Sequence, residues 1–388
     1  MQFEPSPANT VGVEWELQLL DPESLDLIDG IMPLMEFFPK ATYVKPEFIQ
    51  SCVELTSCIS DNSDAAVLHL QGSLQMMLQR CRELEMSVCG AGTHPFCRRL
   101  ALITPLPRYR NMAQESGYLA HRQITFSTHV HVGMASGDQA IFVMSRLIPA
   151  LSALIALSAN SPFWRGHATG HATYRHRILA AAANYGLPTR FDDWRAFDEF
   201  LTAARRARMI RHFKDIHWDI RPHPDFGTLE LRAMDSASDL HTVHGLVAFA
   251  RCLILRLAEA SAEEVSEVLP GDLPYWVEHQ NRFRAGLRGL DAEYVVNKNG
   301  DHRPLIDVIH DLIDFCQPIA ADIDETRGLQ IARDLLDGPP GYQRQLDAYS
   351  SDDSARSVVK ALQRSLVATA GSAFSNDQDF QMTRATVT

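Results

Sequence analysis

Lysine is scarce in this chain: 5 of its 36 basic residues are lysine and 31 are arginine, against 48 Asp and Glu, for a formal charge of −12. Such a deficit of basic charge excludes a protein that coats nucleic acid. Paired cysteine spacing is also missing. Cys52, Cys58, Cys81, Cys89, Cys97, Cys252 and Cys316 form an odd set without the pattern of a zinc ribbon or a disulfide scaffold, which reads as reduced thiols in a cytoplasmic protein. The first twenty residues lack the basic start and apolar core of an export signal, so cytoplasmic localisation is expected. Long apolar runs are nearly absent. The one that exists, Gln139 to Asn160, carries Arg146 and Pro149 and reads as a buried helix rather than a membrane span.

Familiar catalytic signatures are missing as well. There is no G-x-x-x-x-G-K-[ST] phosphate loop and no G-x-G-x-x-G opening a helix; Gly90-Ala91-Gly92-Thr93-His94-Pro95 approaches the latter and fails at its last position. No G-x-S-x-G elbow or H-E-x-x-H helix occurs, which removes the commonest serine hydrolase and zinc protease readings. What is present is ordinary globular composition, 46% hydrophobic and 22% charged, together with 16 histidines.

Periodicity places strands at residues 10–20, 47–59, 124–133 and 216–234, the last broken by Arg221-Pro222-His223-Pro224. Helices are expected at 61–86, along the apolar run, and at 194–213, 239–267 and 273–288. A further helical stretch, 326–370, surrounds the breaker Gly338-Pro339-Pro340-Gly341. Residues 30–40 read as a loop, 88–92 as a short strand or turn, and 161–177, rich in Gly, His and Arg, as a long loop of the kind that carries function. With no repeat and no linker, the expectation is a single α+β domain over 1–370 followed by a polar tail, 371–388.

Side chains two apart in a strand share a face. On that rule Glu14 and Glu16 share one face while Val13, Trp15 and Leu17 take the other; Glu54 and Thr56 oppose Val53 and Leu55; His129 and His131 lie together; and Thr228, Glu230 and Arg232 oppose Leu229 and Leu231. One such strand is an ordinary solvated sheet face. Four of them collect carboxylates, imidazoles and an arginine, and crowded carboxylates need neutralising. Oxygen-rich sites with an occasional imidazole suit Mg²⁺ or Mn²⁺, and magnesium beside arginines suits phosphoryl chemistry.

Eight motifs occur in order: Gly12-Val13-Glu14-x-Glu16, Gln50-Ser51-Cys52-Val53-Glu54, Gly92-Thr93-His94-Pro95-Phe96, Arg108-Tyr109, His129-Val130-His131-Val132-Gly133, Ala159-Asn160-Ser161-Pro162-Phe163-Trp164, Trp218-Asp219-Ile220-Arg221-Pro222-His223 and Gly227-Thr228-Leu229-Glu230-Leu231-Arg232. Over residues 10–365 the chain resembles the bacterial carboxylate–amine ligases classed as the second family of glutamate–cysteine ligases. It departs from many members at Trp15, where they carry a third glutamate.

The resemblance implies a glutamine-synthetase-like fold, a curved antiparallel sheet forming a funnel with helices on its outer face. It also implies ATP and Mg²⁺ or Mn²⁺ as cofactors, and small-molecule substrates: glutamate activated as an acyl phosphate, then cysteine or another amine. Glu14, Glu16, Glu54, His129 and Glu230 are the expected metal ligands, and Arg232 with Glu230 the expected catalytic pair. Glu47, His131, Arg175, Arg221, Thr93 and His94 are further candidates for binding substrate or ATP, and the 161–177 loop for a lid. A homodimer fits the resemblance; nucleic-acid and membrane partners do not. The rival readings are a ligase of the same fold for another acid or amine and, more distantly, a metal-dependent hydrolase.

Overall fold

The computed structural model describes residues 1–39, 43–271 and 273–371; the expected tail, 371–388, lies outside them apart from Gly371. Seven strands form the main sheet: β1 (Val11–Leu20), β2 (Val44–Pro46), β3 (Cys52–Thr56), β4 (Ser87–Cys89), β5 (Ser127–Gly133), β6 (Ile220–His223) and β7 (Thr228–Asp235). Their order is β6-β7-β5-β1-β3-β2, and β4 pairs with the far end of β1, Gln18–Leu20, where β5 has run out. Every described pairing in this sheet is antiparallel, as the expected α+β architecture requires.

The alternation read from the sequence is the alternation of the sheet. Val13, Trp15, Leu17, Val53, Leu55, Val130, Val132, Leu229 and Leu231 all enter one hydrophobic core. Trp15 is fully buried there and donates from Nε1 to the Ala237 carbonyl at 3.1 Å. The helices Ser63–Glu83, Gly137–Leu147, Leu151–Leu157 and Leu240–Glu259 cover this apolar face. Leu305–Asp322 and Thr326–Asp337 pack in turn on Leu240–Glu259. The first of these helices has its start and stop written locally: Asn62 accepts from Ala65 N–H at 2.9 Å, Asp64 sits in the first turn, and Arg80 and Arg82 sit in the last.

Two helical stretches, Gly137–Leu157 and Leu240–Glu259, are long and apolar enough to cross a membrane, but 83% of each apolar window is buried within the protein. The expected buried helix is therefore present, interrupted at Ile148–Ala150 by a 3₁₀ turn containing Pro149.

Several boundaries differ from the expectation. Residues 47–59 are not one strand: β2 and β3 form a hairpin, and Glu47 sits in the connection. Part of the expected 30–40 loop is the short helix Ile31–Glu36. The 239–267 helix divides at Ser261, which starts a second helix with a reciprocal capping box to Glu264. Arg221-Pro222 does not break its strand, because β6 is an edge and Pro222 need not donate to the ladder. The turn falls after it, at Gly227 (φ +63°), where a Cβ would lie 1.9 Å from the Glu4 carbonyl oxygen.

Candidate active site

The polar face of the sheet forms the floor of a cleft of about 370 Å³. Register puts Glu14 opposite both Thr56 and His129, Glu16 opposite Glu54, His131 opposite Glu230, and Glu230 opposite Arg221. A bulge between Leu231 and Met234 shifts the register beyond Glu230, next to Arg232, which lines the cleft; bulges beside active sites commonly re-aim a side chain in this way.

Two groups of potential ligand atoms result, each with its atoms within 4.8 Å of one another: Glu14, His131 and Glu230, and Glu16, Glu47 and Glu54. The second group is electrostatically uncompensated. Burial and then the Glu47 charge push the Glu16 carboxyl up to about 7. Burial, followed by neighbouring carboxylates, raises Glu54 well above the usual carboxylate range, and burial raises Glu47. Lys45 offers Glu54 partial relief at 3.8 Å, and Tyr109 donates to Glu47 Oε1 at 3.3 Å.

The first group is compensated. Burial would raise both Glu14 and Glu230, but His129 and His131 hold Glu14 well below the usual range, and Arg221 and Arg232 do the same for Glu230. His129 itself is pushed down to about 4 by burial and then by Arg232, so it is a neutral imidazole at pH 7. Its Nδ1 lies 3.1 Å from Glu14 Oε2, and its Nε2 lies 2.8 Å from the Ser127 hydroxyl. Ser127 donates N–H to Glu16 Oε2 at 2.6 Å, which links the two groups through one residue. His131 is fixed through Nδ1 against Thr228 Oγ1 at 3.0 Å. Its buried Nε2 has no hydrogen-bond partner among the described residues and faces Glu14 Oε1 at 3.6 Å and Glu230 Oε1 at 4.0 Å. Three close carboxylates with raised pKa values and this imidazole nitrogen fit a hard-cation donor set, but the imidazole among the grouped donors is His131 and not His129, the ligand expected from the sequence, and Glu47 joins the carboxylates.

The three arginines are not equivalent. Arg221 is spent: it holds Glu230 Oε2 at 3.0 and 2.6 Å and the carbonyls of Lys214 and Ile216 at 3.1 and 2.7 Å. Arg232 pairs with Glu230 Oε1 and keeps its remaining donors toward the cleft. Arg175, only 4% exposed, donates once, from Nη2 to the Arg232 carbonyl, and its Nε and Nη1 have no partner among the described residues.

Arg175 is positioned by Asp235, whose carboxylate accepts from Asn160 N–H (2.9 Å), Ser161 Oγ (2.7 Å) and Thr173 Oγ1 (2.8 Å). These bonds pin both ends of the 161–177 segment, and its tip, the hairpin Phe163–Trp164 with His167–Ala168, is also tied to the body: Phe163 is buried, its carbonyl accepts from Thr93 Oγ1 at 2.7 Å, and Gly166 N–H donates to the Pro95 carbonyl at 2.9 Å. The 161–177 segment, a lid candidate from the sequence, is thus held at its ends and at its tip.

Two candidates are corrected. Thr93 and His94 do not line the cleft; they are buried, and their side-chain polar atoms are used as struts. Thr93 Oγ1 donates to the Phe163 carbonyl at 2.7 Å, while His94 meets the Leu25 carbonyl through Nε2 and accepts from Phe96 and Cys97 N–H through Nδ1. Glu14, Glu16, Glu47, Glu54, His129, His131, Arg175, Arg221, Glu230 and Arg232 all line it. Lys45, Arg108, Tyr109, Ser127, Tyr185, Lys214, His217, His223 and Phe226 also line the cleft and were not assigned from sequence. Strand alternation identifies Lys45, Ser127 and His223 once the strands are bounded correctly; Tyr185 and His217 reach the cleft from a two-residue parallel strand pair, too short to show alternation, and the others from loops and helices, where spacing carries no such signal.

The model of glutamate–cysteine ligase family 2 matches residues 10–361. A Trichormus variabilis protein provisionally named glutamate–cysteine ligase 2 is 40% identical over 362 residues, covering 93% of this chain and 94% of its own. A Mycobacterium tuberculosis protein with the same provisional name is 33% identical over 369 residues, covering 95% and 97%. Among solved structures, the glutamate–cysteine ligase of Francisella tularensis in complex with AMP superposes with a TM-score of 0.67 at 12% identity, covering 96% of this chain and 91% of that one. A bifunctional glutathione synthetase from Pasteurella multocida gives 0.66 at 12% identity, covering 93% and 52%. The glutamine-synthetase-like α+β fold implied by the sequence motifs is therefore the observed fold.

Proposed function

Since the chain belongs to glutamate–cysteine ligase family 2 and is an ATP-dependent ligase, we propose that it joins glutamate to cysteine, giving γ-glutamylcysteine, ADP and phosphate, within one catalytic unit over residues 1–370. The observation that carries this reading is the two groups of close donors, Glu14 with His131 and Glu230, and Glu16 with Glu47 and Glu54, lining one cleft together with Arg175 and Arg232.

The glutamate γ-carboxylate attacks the terminal phosphorus of ATP, ADP leaves, and the resulting acyl phosphate is attacked by the amine with loss of phosphate. No protein nucleophile is required, so the residues act by positioning and charge neutralisation. Glu16, Glu47 and Glu54 would hold one Mg²⁺ or Mn²⁺, and Glu14, His131 and Glu230 another, with His129 orienting Glu14; bound there, the ions would neutralise the phosphate oxygens. Arg232 and Arg175 supply unspent guanidinium donors to the transferring group or to a substrate carboxylate. Arg221 keeps Glu230 and Arg232 in place. Phe48, Tyr109, Met112, Trp218 and Phe226 wall the cleft and limit access of water to the acyl phosphate.

Release of phosphate from ATP in the presence of Mg²⁺, glutamate and a panel of amines tests this reading. Stimulation by cysteine with glutamate supports it, and transfer of ¹⁸O from the glutamate carboxylate to phosphate identifies the acyl phosphate. Stimulation by a different acid or amine would replace the substrates and keep the chemistry, whereas no stimulation by any pair would overturn it.

A further inference from the structure

The tip of the 161–177 segment builds a second hollow that shares no residue with the cleft, lined by Arg98, Arg122, Trp164, Arg165, His167 and Tyr174. It adjoins the cleft along the chain, because Gln123 and Arg175, which line the cleft, follow Arg122 and Tyr174 directly. In a chain with a surplus of acids, this lining contains none, and none of the three arginines has an ion-pair partner among the described residues.

The guanidinium groups are held, not merely exposed. Arg98 Nε–H donates to the Arg165 carbonyl at 3.2 Å, and Arg165 Nη2–H donates to the Arg98 carbonyl at 3.1 Å, so each side chain is tied to the other's backbone. Arg165 and Gly166 form the two-residue turn of the hairpin with φ of +54° and +87°. The first position of such a turn favours Asn, Asp or Gly, and an arginine there is backbone strain accepted in order to place a side chain. Trp164 and Tyr174, with ring centroids 6.2 Å apart, flank the cluster. Two like charges strapped together, a third close by, no carboxylate and most fork donors unused make a receptor for an anion bearing several charges.

We propose that this hollow binds a small di- or polyanion, carrying phosphate or carboxylate groups, at a site separate from the catalytic cleft. The site stands independently of which substrates the cleft takes. The test is calorimetric titration of the full chain with inorganic pyrophosphate and, separately, with citrate, at physiological salt, where nonspecific surface attraction is screened.

Arg165→Gly is the primary variant, because glycine accepts φ +54° without cost and the turn survives. Combined with Arg122→Gln, it is expected to weaken binding by about tenfold or more, while Arg232→Met in the cleft leaves it within about twofold. Saturable binding of pyrophosphate alone identifies a phosphate site, and binding of both probes a general polyanion site. No saturable binding of either probe, unchanged affinity in the Arg165→Gly/Arg122→Gln variant, or loss confined to Arg232→Met would each overturn the proposal.

Discussion

Glu16 and Glu54 lie directly opposite one another on neighbouring antiparallel strands, and with Glu47 they bring three carboxylates within 4.8 Å. Like charges in that relation destabilise a sheet, so this part of the fold is held in a state that suits a cation better than it suits the empty protein. Glu54→Gln should therefore raise the stability of the metal-free protein, by about 1 kcal/mol. The same change should lower ligase turnover by roughly a hundredfold or more. Thermal unfolding and phosphate release measure the two effects. A less stable Glu54→Gln protein would mean that the carboxylate is a structural partner.

Metal affinity should depend on pH through the same group. A carboxyl with its pKa raised to about 7 is largely protonated at pH 6, and only the ionised form ligates, so binding must release protons. Mn²⁺ affinity is expected to climb between pH 6 and pH 8, with proton release visible as a buffer-dependent heat. Glu16→Gln should weaken binding and flatten that slope. An affinity independent of pH in the unaltered protein would exclude Glu16 as a ligand.

Stability of the whole fold should also fall with acid, through a different set of groups. Burial pushes His94, His129 and His244 down to about 4, and His217 and His223 down to about 3. For a base whose folded pKa is depressed, the unfolded chain takes up the proton first. The stabilisation is thus complete above about 6.5 and is lost as pH falls toward the folded value. His94 alone can account for up to about 3 kcal/mol between those limits. Denaturant midpoints measured from pH 7 to pH 4.5 should fall steadily, and His94→Gln should be less stable at pH 7 yet lose less on acidification. A flat profile would show that these imidazoles are hydrated.

Strand alternation made the site legible because it is a local rule: residues at i and i+2 share a face whatever the rest of the chain does, so Glu14 with Glu16 and His129 with His131 could be paired before any topology was known. The same rule kept Trp15 off the polar face. What it could not supply was partnership across strands. Nothing in the spacing of Arg221 shows that its donors are consumed by Glu230 and two carbonyls, or that Arg175 keeps two nitrogens unspent. Thr93 and His94 misled because a Gly-Thr-His-Pro turn beside an active site has the same composition whether it contacts substrate or braces the wall. The unassigned helix Leu305–Asp322 is buried along one face with Pro318 inside it, and a proline normally argues against a helix interior.

Asp235 and Arg175 offer a test of how the cleft is held. Burial raises the Asp235 pKa and Arg175 is the charge that opposes this rise, while the Asp235 carboxylate also ties Asn160, Ser161 and Thr173 together. Asp235→Asn replaces an acceptor with a donor facing a donor and removes the counter-charge of a buried guanidinium, so it should cost about 1–3 kcal/mol. Arg175→Met removes a buried cation that satisfies few of its own donors, and should leave stability unchanged or raise it, while the KM for ATP or glutamate rises about tenfold or more. In the double variant the cost of Asp235→Asn should shrink, because no stranded charge remains. Additive stability effects would mean that Asp235 acts only through its neutral hydrogen bonds, and an unchanged KM in Arg175→Met would remove Arg175 from the binding of anionic substrate.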